Sequence, residues 1–248
     1  MKNNKNIGYK SNFNSPLGVG GYLFPLQGIG VLLFICLFLA SCSGTSHLPK
    51  GERLYTGATI KLESVEKVHK SNIKAIAEAA VRPEPNKSYL GIRPRLWLYM
   101  AAGENPKSKF KLWLQKIGQA PVFMSNVSPS ATAAVIDAQL FNSGIFNSIT
   151  TYKIVEKKHT ASVIYTSYIH KPYTIKDLVY NISDDSLSRI IVSDEKKSIL
   201  KAGEDYNLDI LKAERMRIDN VLKNKGYFYF NADYLLFKAD TSAVNQTV

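Results

Sequence analysis

Hydrophobic positions recur along this chain in three different ways. Residues 29–39 form an almost continuous apolar run, interrupted only by Gly30. Elsewhere apolar residues recur at helical spacing. Ile73, Ile76, Ala77 and Ala80 predict a helix over 71–81, with Ser71 as N-cap and Pro83 as its stop. Phe110, Trp113, Leu114 and Ile117 fall at i, i+3, i+4 and i+7 and predict an amphipathic helix ended by Gly118. A shorter helix is expected over 94–102. Ser128-Pro129 is a favoured helix start, followed by Ala133, Ile136 and Leu140 on one face. Asn207 or Asp209 caps a further helix through Asn224, with Leu211, Ile218, Val221 and Leu222 on its buried side.

The third pattern has a period of two. Residues 54–63, with Thr59, Ile60 and Leu62, predict a strand. Residues 149–155 and 161–169 alternate polar with apolar positions and flank the turn Lys157-Lys158-His159, which predicts an antiparallel hairpin. Strands are also expected over 173–182 and 231–238, with a weaker helical region over 184–200 between them.

Two helix ends carry the same signature. Leu140-Phe141-Asn142-Ser143-Gly144-Ile145-Phe146 aligns with Leu222-Lys223-Asn224-Lys225-Gly226-Tyr227-Phe228, matching Leu, Asn, Gly and Phe at an offset of 82 residues. A fixed offset of that size predicts two copies of one small domain. Glycine takes the positive φ that a sharp helix end needs. The aromatic two residues on, Phe146 or Phe228, is expected to pack under the helix and set its exit angle.

The apolar run is 11 residues long, short of the roughly 20 that span a bilayer. Lys2, Lys5 and Lys10 precede it without an acidic residue, as in a secretory leader. It ends in Leu39-Ala40-Ser41-Cys42, which resembles a bacterial lipobox. The resemblance implies cleavage before Cys42 and lipid on that cysteine, and Ser43 rather than Asp after it implies sorting to the outer membrane. An ordinary signal peptide, or an uncleaved anchor, is the alternative. Loss of residues 1–41 removes three of 32 basic residues and none of 20 acidic ones, leaving 207 residues at a net charge of +9. Cys42 is then the single cysteine, so neither an internal disulfide nor a thiolate metal site is available. The basic balance suits anionic lipid, lipopolysaccharide or acidic partners. No nucleic-acid motif is present, and nucleic acid is not an expected partner.

Residues 82–122 mix cations (Lys87, Arg93, Arg95, Lys107, Lys109, Lys111, Lys116) with aromatics (Tyr89, Trp97, Tyr99, Phe110, Trp113). One reading is a membrane-facing patch built on Trp97, Lys107, Lys109, Phe110, Lys111 and Trp113. The other is a helix pair packed on its own domain with a solvated lysine face.

The repeated helix, Gly-x-Phe and strand, with residues 201–228 the closest in pattern, resembles POTRA domains, the β-α-α-β-β modules of BamA/TamA-family outer-membrane assembly proteins. With the lipobox and Leu48-Pro49-Lys50-Gly51-Glu52 ahead of it, the chain is similar to the lipid-anchored TamL type. The expected fold class is therefore α+β: a leader (1–41), a tether (42–53), a first POTRA-like domain (54–171) with a helical insertion (82–122), and a second (172–248) lacking its last strand. The family continues into a β-barrel, so the expectation is an N-terminal fragment.

The resemblance implies an outer-membrane, lipid-anchored protein facing the periplasm. It would bind unfolded outer-membrane clients or periplasmic partner subunits by strand addition at 149–155 or 231–238. Either edge is instead covered if a neighbouring domain, or a missing strand, pairs with it. A lipid-tethered scaffold without client binding is the alternative role. No enzyme is expected and no cofactor. His47, His69, His159 and His170 share no metal-ligand spacing. Asp184-Asp185 and Asp194-Glu195 read as helix-start or loop charges.

Overall fold

The computed structural model describes residues 48–242 and 245–248. Cys42 and the apolar run before it lie outside the described residues. The fold is α+β, with one three-stranded sheet and six α-helices among the described residues. In chain order these are β1 (Leu54–Glu63), α1 (Lys70–Ala79), α2 (Pro94–Ala102), α3 (Lys109–Ile117), α4 (Pro129–Asn142), β2 (Ile149–Glu156), β3 (Thr160–Tyr168), α5 (Asp185–Ser193) and α6 (Leu208–Asn224).

The sheet order is β1-β3-β2. β2 and β3 form the expected hairpin, antiparallel from Ile149↔Tyr168 to Glu156↔Ala161. β1 runs parallel to β3, with an irregularity between Tyr55 and Ala58. A parallel neighbour cannot be reached by a tight turn, so the chain between β1 and β2 crosses over, and it does so as helices. Along β3, Ala161, Val163, Tyr165 and Ser167 are buried and alternate with more exposed residues. The buried side packs with Ile73 and Ala77 of α1 and Ala133, Ile136 and Leu140 of α4 in one core. Deep burial pushes the Tyr55 hydroxyl up to about 12, with Tyr165 beside it adding to the effect.

Helix α1 begins one residue earlier than its sequence predicts. His69, not Ser71, occupies the N-cap, and no side chain caps the turn. Ser128 and Pro129 do occupy the N-cap and N1 positions of α4, although the serine makes no capping bond.

The second half of the chain departs further from expectation. Residues 173–182 form no strand. Thr174 makes only isolated bridges, antiparallel to Asp205 and parallel to Thr247. The cause is the length of its partners. Tyr206 N–H donates to the Tyr173 carbonyl and Ile175 N–H to the Glu204 carbonyl on one side, and Lys176 N–H donates to the Val248 carbonyl on the other. A ladder needs more residues than that. Residues 246–248 pair briefly and in parallel with 174–176, the direction in which β3 meets β1. Residues 231–238 form no strand either. The Asn231 side chain accepts from Asp233 N–H and opens a 3-10 turn, Ala232–Tyr234. Arg215 of α6 holds that turn through the Ala232 carbonyl (2.9 Å) and Asp233 (2.8 Å).

Two small cores support this half: Ile175, Leu200 and Leu211, and then Ile191, Ile218 and Leu222. Beside them Glu214 is buried on α6, with Arg217 donating to both its oxygens (2.9 and 2.8 Å) and also to Asp194. Burial pushes the Glu214 carboxyl up, but the bonds from Arg217, Ile199 N–H and Ser198 outweigh it and hold it below its ordinary value. Lys197 first, and Arg217 with it, hold Asp194 low. Asp184 caps α5, accepting from Ser186 and Leu187 N–H. Asp184 is therefore a helix cap and Asp194 an ion-pair partner.

Candidate functional site

A shallow groove runs between α4 and β2. One end is lined by Ser130, Ala134, Asp137, Thr150 and Tyr152, and the other by Asp137, Ala138, Phe141, Phe146 and Ser148. The sequence builds it in two steps. Ile136 and Leu140 turn one face of α4 into the core, which leaves Ala134 and Ala138 facing outward. Their short side chains keep the space beside β2 open. Asp137 then ties the helix to the strand. Its carboxylate accepts from Thr150 N–H (3.1 Å), Thr150 Oγ1 (2.6 Å) and Ser148 Oγ (3.3 Å). Thr150 Oγ1 also lies 2.8 Å from Ser167 Oγ, which extends the network into β3.

β2 is one of the two outer strands of the sheet, and among the described residues no strand pairs with its far edge; β1 is the other, and its first residues are bonded to residues 122–124. Ile149, Tyr152 and Ile154 are 65, 46 and 40% exposed, although such residues favour a paired and covered strand. Natural sheets blunt their edges with charge, proline or short length. Here Lys153 is the single charge inside an eight-residue strand, before Glu156 at its end. The groove thus borders an outer strand whose apolar side chains are exposed, with Thr150 N–H already bonded to Asp137 near its start. Neither Ala134, Asp137 nor the groove itself is signalled by sequence period. The alanines read simply as good helix formers, and the partners of Asp137 lie 11 and 13 residues away.

The two repeated helix ends have the same backbone geometry. Gly144 and Gly226 take φ values of +82° and +98°. Ile145 N–H donates to the Leu140 carbonyl (3.0 Å), and Tyr227 N–H to that of Leu222 (3.1 Å). Gly144 N–H donates to Phe141, and Gly226 N–H to Lys223. Both are Schellman caps, and both anchor leucines are fully buried. The aromatic residues behave differently from each other. The Phe146 ring lies 4.8 Å from Phe141, 4.9 Å from Tyr173 and 5.1 Å from Tyr206, at the join with the second half. Phe228 is 76% exposed, and Tyr227 and Phe230 enter the core instead.

The patch residues lie together on a helical hairpin. Trp97 is on α2; Lys109, Phe110, Lys111 and Trp113 are on α3; Lys107 is in the connection. The Phe110 and Trp113 rings stack at 5.9 Å.

No family model matches the chain, and no curated protein matches it. Among solved structures, the chain is similar to POTRA1-2 of the periplasmic domain of Omp85 from Anabaena, at 10% identity and a TM-score of 0.34, over 80% of this chain and 93% of that one. It is also similar to Haemophilus influenzae BamA POTRA3-5, at 12% identity and a TM-score of 0.22, over 74% and 91%.

Proposed function

We propose that this chain is the periplasmic POTRA-type region of an outer-membrane protein assembly or translocation factor, tethered through a lipidated Cys42. Its α4–β2 groove receives extended clients by strand addition. The observation that carries the reading is the unpaired edge of β2, rich in β-forming residues and flanked by a helix trimmed to alanine. Backbone hydrogen bonds at such an edge tolerate many client sequences, and alternate side-chain positions add modest selectivity. With the 82–122 hairpin (α2 and α3) set aside, the first half reads β-α-α-β-β, and this order, with its parallel β1–β3 pair, supports a POTRA-type module. The repeated Schellman cap supports a second module of the same ancestry.

The test is photo-crosslinking with the purified chain and a urea-denatured outer-membrane β-barrel protein diluted into buffer. A photoreactive residue at Thr151 or Lys153 is expected to trap the unfolded client, while one at Lys61 on β1 is not. If β2 traps only a stable folded partner, the scaffold role is correct instead. Equal trapping at all three positions, or none, removes the groove from the account.

A further inference from the structure

The hairpin of residues 82–122 is fixed at its base and open at its aromatic face. Buried Asn86 closes the base: its Nδ2 donates to the Ala120 carbonyl (2.7 Å) and its Oδ1 accepts from Val122 N–H (2.9 Å). Tyr55 N–H donates to the Val122 carbonyl, and Met124 N–H to that of Arg53, which attaches the base to the start of β1. Within the hairpin, Gln119 N–H donates to the Arg95 carbonyl, and Gly118 lies so close to Tyr99 that an added Cβ would fall 2.7 Å from its nitrogen. The two helices are therefore held as a unit.

No residue of α3 is buried. Phe110 and Trp113 are 64 and 54% exposed, and Trp97 on α2 is 46% exposed. On a helical projection Phe110 and Trp113 share one side of α3, with Lys109 and Lys116 along one border and Lys111 along the other. At Tyr89-Leu90-Gly91-Ile92, a two-residue hairpin turn puts Leu90 at a φ of +51°, fully exposed. Such turns ordinarily place Asn or Gly there. The segment carries eight cations against two acids, and one of those acids, Glu84, already faces Arg82 at 3.7 Å. Lys107, Lys109, Lys111 and Lys116 have no carboxylate partner among the described residues.

We infer that this hairpin docks on an anionic phospholipid bilayer, with Trp97, Phe110 and Trp113 bedded at headgroup depth and Lys107, Lys109 and Lys111 against lipid phosphates. Charge complementarity selects that occupant. Lysines bordering an aromatic face match an interfacial helix, whose ammonium groups reach outward to headgroups. Protein interfaces, in contrast, are depleted in lysine. The hairpin base joins β1 at Arg53, 11 residues after Cys42, a reach of about 40 Å at most. The inference does not depend on client binding or on acylation.

The chain's two tryptophans are both on this hairpin, so their emission reports the site without a label. The test uses the full chain carrying Cys42→Ala and phosphatidylglycerol vesicles with brominated acyl chains. The expected result is a blue shift with quenching. The K107E/K109E/K111E variant should lose about 10-fold or more in vesicle affinity, and Phe110→Ala a smaller amount, with circular dichroism unchanged for both. Any background from the apolar leader is common to parent and variants, so the difference between them reads the hairpin. Emission unaffected by phosphatidylglycerol, or quenched equally in the triple variant, overturns the inference.

Discussion

The ends of α4 and α6 share one backbone solution and occupy two different settings. Both close with the same pair of hydrogen bonds around a left-handed glycine over a buried leucine. At Gly144 the second half of the chain packs directly on the turn. Tyr173 N–H donates to the Gly144 carbonyl (2.9 Å), and a Cβ on Gly144 would lie 2.9 Å from the Tyr206 carbonyl oxygen. At Gly226 an added Cβ would meet nothing within 4 Å. A local motif therefore dictates how a helix stops, while the surrounding chain decides whether that stop is also a joint.

The largest effect should come from filling the crowded turn. Gly144→Ala places a side chain at positive φ, costing about 1–2 kcal/mol, and forces it against Tyr206, adding about 1–3 kcal/mol of overpacking. Gly226→Ala carries only the first cost. Urea unfolding followed by circular dichroism should separate the two, and equal losses would break the contrast.

Next comes the buried ion pair of the second half. Glu214→Gln removes the main partner of Arg217, and breaking a buried pair costs about 3 kcal/mol or more. Asp194 still holds the guanidinium, which places the expected loss at the low end of that range. Tryptophan emission, which reports only the first half, should shift less in urea midpoint than circular dichroism does.

Smaller again is the aromatic contrast. Phe146→Ala strips three ring contacts from the joint and is expected to cost about 2 kcal/mol, below the cost of a fully buried phenylalanine. It should also open the 169–172 linker to limited proteolysis. Phe228→Ala should change stability by less than about 0.5 kcal/mol, as for an exposed site.

The mildest handle is pH. The Glu214 carboxyl is held below its ordinary value of 4.5 in the folded chain. Its contribution is therefore fully present above that value and is lost as pH falls through the lowered one. The second half should weaken first in acid, and Glu214→Gln should flatten that dependence.

These contrasts mark what the sequence can reveal by itself. Ser128-Pro129, the apolar spacing of α4 and the β2–β3 alternation are local signals, and each became the element it predicts. The strands expected at 173–182 and 231–238 were equally plausible by composition, but a strand requires a partner that no local pattern encodes. The 3-10 turn at Ala232–Tyr234 depends on Arg215, 17 residues earlier. The Asn86 clamp spans 34 and 36 residues, and the groove arises where α4 happens to lie beside an edge. Such features come from the meeting of distant segments.

Amide hydrogen exchange, resolved by residue and recorded with and without a denatured outer-membrane barrel protein, tests the client-binding claim most directly. Strand addition predicts that protection rises along Ile149–Glu156 on adding the client, while β1 remains as it was. Unchanged exchange along β2, or new protection confined to residues 228–237, would contradict it.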